Sequence, residues 1–106
     1  MAVDQPAEDA FAAVTAALLG EPEVDEGTGF GSSDGLRTSG RIFAMRKGGE
    51  LVVKLPAKRV AELLDDDGVR SFVVGRRTMR EWVCIEPGTH DWMSLAREAL
   101  VYVRGG

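Results

Sequence analysis

The basic residues of this sequence hold its clearest chemical potential. Arg37, Arg41, Arg46 and Lys47 lie on one predicted hairpin, and Arg76, Arg77 and Arg80 lie just before and into a later strand. A guanidinium presents a planar fork of donors that matches a carboxylate or a phosphate. If Arg37, Arg41, Arg76, Arg77 and Arg80 converge, they make a site for an acidic protein partner, a small anion or a nucleic-acid backbone. If they stay apart, they are a solvated surface paired with nearby acids. The formal net charge of -4 argues against a nonspecific nucleic-acid binder, which needs a broadly basic surface. It leaves room for a local patch.

Other reactive side chains do not assemble a known reaction in the sequence. Cys84 is the only cysteine, so no intrachain disulfide forms. It sits in the apolar run Trp82-Val83-Cys84-Ile85, where a thiol behaves as a small apolar side chain. The only histidine, His90, is separated from it by a turn. Ser32, Ser33 and Ser71 lack a nucleophile motif such as Gly-x-Ser-x-Gly. Glu21, Glu23, Asp25, Glu26 and Asp65 to Asp67 are plentiful, but Asp65-Asp66-Asp67-Gly68 lacks calcium-loop spacing. Gly27-Thr28-Gly29-Phe30-Gly31-Ser32-Ser33 is neither a Walker loop nor a dinucleotide fingerprint. The expectation is a non-enzyme with no metal and no cofactor. A candidate pocket for a small molecule would combine Phe30, Trp82 and Trp92. Tyr102, off the main stripe of its helix, suits a self-association surface.

The elements that would position these residues follow from periodicity. Pro6 to Leu19 predicts a helix, with Phe11, Val14 and Leu18 on one face and acids in its first turn. Residues 20–35 read as a long flexible loop anchored by Phe30. Leu36 to Thr38 and Arg41 to Met45 predict strands joined at Ser39-Gly40. Lys47-Gly48-Gly49-Glu50 turns into Leu51 to Leu55. Strand alternation places Ile42 with Ala44 and Phe43 with Met45, and puts Leu51, Val53 and Leu55 on one face. Pro56 opens a second helix with a stripe of Val60, Leu63 and Leu64, ended near Gly68. Ser71 to Val74 is a short strand, Gly75 to Met79 a basic loop, and Arg80 to Ile85 a further strand. The last helix, about Asp91 to Val103, carries Trp92, Leu95, Ala96, Ala99, Leu100 and Val103 at helical spacing, with Asp91 as its cap.

The order α-β-β-β-α-β-β-α argues for a two-layer α+β domain, a five-stranded antiparallel sheet with helices packed on it. The 106 residues suit one domain over 1–106. No stretch approaches the ~20 apolar residues of a membrane helix, and the acidic start is unlike a signal peptide. The expected location is cytoplasmic.

Phe30-Gly31-Ser32-Ser33 with Leu36, then Gly40-Arg41-Ile42-Phe43-Ala44-Met45, resembles the TfoX N-terminal domain family. So do Leu51-Val52-Val53-Lys54-Leu55-Pro56, Met79-Arg80-Glu81-Trp82-Val83 and Trp92-Met93-Ser94-Leu95-Ala96-Arg97-Glu98-Ala99. The MmcQ/YjbR group is similar in the Gly-Arg-Ile-Phe hairpin and the Trp strand. The resemblance implies a two-layer α+β fold and a bacterial regulatory or binding module without catalytic residues. Such a module would act through a protein partner or a homodimer.

Overall fold

The computed structural model describes residues 5–28 and 34–105. Three helices pack on one face of a six-stranded antiparallel sheet. Helix α1 is Gln5–Leu18. Strands β1 (Val24–Thr28), β2 (Asp34–Thr38), β3 (Arg41–Lys47) and β4 (Glu50–Lys54) follow, then α2 (Ala57–Leu63), β5 (Val69–Val74), β6 (Arg77–Ile85) and α3 (Trp92–Arg104). The strand order is β1-β2-β3-β4-β6-β5, which leaves β1 and β5 at the edges. Among the described residues no helix is long and apolar enough to cross a membrane.

The expected count of five strands is corrected to six. The stretch expected to be a loop contains β1, paired along its whole length with β2. Its acids hold it in place. Asp25 takes a two-pronged bond from Arg37, and Glu23 accepts from the Ser39 hydroxyl at 2.6 Å. Ser39 and Gly40 both have positive φ (50° and 82°). That is the combination a two-residue hairpin turn needs. Residues 29–33, including Phe30, lie outside the described residues.

Two irregularities set the faces of the sheet. Leu36 pairs with Ala44 but Arg37 pairs with Ile42, so Phe43 is an inserted residue on β3. A bulge puts two consecutive side chains on one side. Phe43 and Ala44 therefore both enter the helix-side core, while Ile42 and Met45 share the outer face. This corrects the alternation expected for β3; that expected for Leu51, Val53 and Leu55 is observed. In β6, Ser71 faces Val83 but Phe72 faces Met79, which leaves Arg80, Glu81 and Trp82 as extra residues.

The main core joins Phe11, Val14 and Leu18 of α1 to Leu36, Phe43, Leu51 and Val53 of the sheet and to Trp92, Leu95 and Leu100 of α3. Asp91 caps α3 by accepting from the Met93 amide and the Ser94 hydroxyl. Helix α2 buries only Val60 and Leu63 and stops a turn before Gly68. Leu64, expected in its stripe, is exposed at its end. A second, smaller cluster lies on the outer face: Met45, Val52, Phe72, Trp82 and Cys84, with Ile42 and Met79 at its margin.

Candidate functional site

The three-residue bulge in β6 makes the most distinctive concavity. At this point the pairing of β6 with β5 shifts register, and from Trp82 onward β6 also pairs with β4. Lys54 pairs with Trp82, and the Leu55 amide donates to the Glu81 carbonyl at 2.9 Å. The strand also begins earlier than expected, at Arg77. The basic loop is therefore corrected to a two-residue turn, Gly75-Arg76. Arg77 and Arg80 now flank a hollow of about 590 Å³ with Lys54, Met79, Glu81 and Trp82 in its wall. Bulges commonly re-aim side chains beside functional sites, and here the bulge collects three cations.

The charges in this hollow are open. Among the described residues, Arg77 and Arg80 have no ion-pair partner, and Lys54 contacts only the Trp82 ring, 5.9 Å from its centroid. Glu81, the one acid in the wall, accepts from the Tyr102 hydroxyl at 2.9 Å. That bond raises the Tyr102 pKa and ties the half-buried Tyr102 to β6. By contrast, most arginines elsewhere are matched, although among the described residues Arg41 and Arg76 are not. Arg70 binds Glu50, Arg59 binds Glu98 and Glu62, and Arg46 binds Asp34.

The two arginine groups do not meet. Arg37 is held by Asp25 at 2.9 and 3.2 Å, and its stem lies where a side chain on Gly27 would clash, 2.6 Å from an added Cβ. Strands β2 and β6 are separated by β3 and β4, which is roughly 14 Å across three strand spacings. Arg41 is exposed at the start of β3, and Arg76 is exposed in the β5–β6 turn. Of the five arginines singled out in the sequence, only Arg77 and Arg80 line the hollow. Lys54 was missed. Its signal was the alternation Leu51-Val53-Leu55, which turns Lys54 to the outer face.

Of the candidate aromatic pocket, the two described members, Trp82 and Trp92, do not come together. Trp82 belongs to the outer cluster, with its ring 6.4 Å from that of Phe72. Trp92 belongs to the helix-side core and donates to the Glu86 carbonyl. The sheet stands between them, and each is nearly buried (6% and 4% exposed). Neither ring is available for stacking.

Cys84 and His90 are also kept apart. His90 faces Asp66 at 3.3 Å, while Cys84 is buried in the outer cluster. Burial pushes the Cys84 thiol up to about 11, with Glu50 adding in the same direction. The thiol stays protonated when folded and ionises from about 9.0 when unfolded. Its contribution is intact below pH 9 and is lost as pH rises from 9 towards 11, by roughly 2 kcal/mol. Chemical denaturation at pH 8 and pH 10.5 should show that loss, and Cys84→Ala should reduce it. Alkylation of native protein at pH 8 should be at least about tenfold slower than of unfolded chain.

An apolar groove between α2 and α3 is the other notable concavity. Leu55, Pro56, Val101 and Tyr102 line it, and the paired Arg59 and Glu98 form its rim. Among the described residues no three His, Cys, Asp or Glu side chains are grouped as a metal would need. No family model matches the chain, and neither a curated protein nor a solved structure matches it.

Proposed function

We propose that this chain is a non-enzymatic binding module of the TfoX N-terminal type. It engages an acidic segment of a protein partner at the hollow formed by Lys54, Arg77 and Arg80. The observation that carries this reading is the set of three cations, left without carboxylate partners, around one concavity. Elsewhere in the molecule most guanidinium groups are already matched. A carboxylate-rich peptide supplies the missing charge, and steering by the local field speeds its arrival. The nearly buried Trp82 makes the floor rigid rather than sticky, so selectivity comes from charge. The buried thiol of Cys84 and the occupied His90 offer no nucleophile or base to this hollow.

Calorimetric titration with a glutamate-rich peptide at low salt tests the proposal. Saturable binding with a Kd near 50 µM, about -6 kcal/mol, is expected, weakening as salt rises. An oligonucleotide is the control. Tighter binding of that polymer would replace the protein partner with a nucleic-acid backbone. A second reading, small-ligand binding, is favoured by the groove between α2 and α3, where Val101 is 51% exposed beside Leu55 and Pro56. That reading predicts thermal stabilisation by apolar metabolites, unaffected by changes at Arg77 and Arg80.

A further inference from the structure

The two edges of the sheet are built differently. On β1, Asp25 and Glu26 are adjacent and exposed. A second copy pairing there would set carboxylate against carboxylate, which blunts the edge. Strand β5 reads Val-Arg-Ser-Phe-Val-Val. It has no proline and no lysine, and the inserted residues of the β5–β6 pair lie on β6 instead. Val73 and Val74 are 51% and 41% exposed. An edge strand carries unpaired N–H and C=O groups along its open side.

The ends of β5 carry opposite charge. Asp65, Asp66 and Asp67 precede it and Arg76 follows it, all exposed. Among the described residues, Asp65, Asp67 and Arg76 have no side-chain partner. An antiparallel copy of this strand would therefore meet its own complement. Opposed residues in an antiparallel pair point to the same face, so a two-fold axis must pass where one residue faces itself. With that axis at Ser71, Val73 of one copy faces Val69 of the other. The Gly75-Arg76 turn of one copy then lies at the end of the shared ladder where the acidic turn of Asp65, Asp66 and Asp67 leads into β5 of the other.

We propose that β5 pairs with β5 of a second copy, joining the two sheets across a two-fold axis. The charges fix the antiparallel sense, and the symmetry closes the assembly at two chains. The hollow at Lys54, Arg77 and Arg80 is a separate feature, so either proposal can fail alone.

Sedimentation across about 1 to 500 µM tests it. A concentration-dependent dimer is expected. Arg76→Glu and Asp67→Lys should each weaken it about tenfold, since attraction across the axis becomes repulsion twice over. The two substitutions change net charge in opposite directions, so a general charge effect would weaken only one of the homodimers. An equimolar mixture should recover the wild-type affinity, because the altered ends are again complementary. A monomer throughout, or a dimer insensitive to either variant, overturns the proposal. So does a mixture that fails to recover. Both positions are exposed, and matching thermal melts verify the fold. Should either variant not fold, the salt response of the wild-type dimer decides: weakening with salt supports the pairing, and no response contradicts it.

Discussion

Phe43→Ala is expected to lower the unfolding free energy by about 4 kcal/mol. Phe43 has no solvent exposure and lies where the sheet meets the helices. It is also the inserted residue of the β3 bulge. Truncation opens a cavity under α3, and the bulge denies the strand an easy collapse. Such a loss is a large share of the 5–15 kcal/mol that is roughly typical of a domain. Urea denaturation should show the midpoint moving with little change in slope. Met45→Ala, in the outer cluster, should cost less, about 2–3 kcal/mol, because that cluster is smaller. If the two substitutions cost the same, Phe43 is not anchoring the principal core.

The second large effect concerns the hollow. Replacing Lys54, Arg77 and Arg80 together by glutamine should weaken binding of a glutamate-rich peptide about 50-fold at low salt. Each cation is partly or fully exposed, so each contact contributes only about 0.5–1 kcal/mol. Three contacts then sum to roughly 2–2.5 kcal/mol. Arg37→Gln is the contrasting variant. Arg37 is held by Asp25, and its loss should leave peptide binding within about twofold while loosening β1. Equal losses from Arg37→Gln and the triple substitution would place the binding surface elsewhere. Folding is expected to survive the triple change, because none of the three side chains belongs to either apolar cluster.

Much of the fold was legible where local periodicity and burial agree. The stripe Trp92, Leu95, Ala96, Ala99, Leu100 and Val103 is wholly buried, and Asp91 caps it as its chemistry predicts. The hairpins around Ser39-Gly40 and Gly48-Gly49 also form where their turn residues place them. Strand β1 was illegible because Val24-Asp25-Glu26-Gly27-Thr28 contains one large apolar residue and poor strand formers. Its order comes from partners distant in sequence, Arg37 and Ser39. The faces of β3 were misassigned because a strict two-residue period assumes no insertion, and the bulge at Phe43 breaks that assumption.

The candidate site was half legible for a related reason. Arg77 and Arg80 stand out as a basic cluster, but their approach to Lys54 depends on β6 pairing with β4 across an intervening helix and strand. Nothing local encodes that pairing. Trp82, on a strand, and Trp92, at the start of the last helix, can share a pocket only if Trp82 faces the helices, and β6 is apolar on both faces. Trp82 and Cys84 face outward while Val83 and Ile85 face the helices. With both faces apolar, alternation alone does not say which side meets the helices.

The hollow at the β6 bulge is the proposed binding surface. It is tested most directly by following the peptide titration residue by residue with amide NMR. The largest shifts are expected on Lys54 and on residues 77–82, with α1 and the α2–α3 groove unmoved. Shifts confined to the groove around Val101, or none at any peptide concentration at low salt, would contradict it.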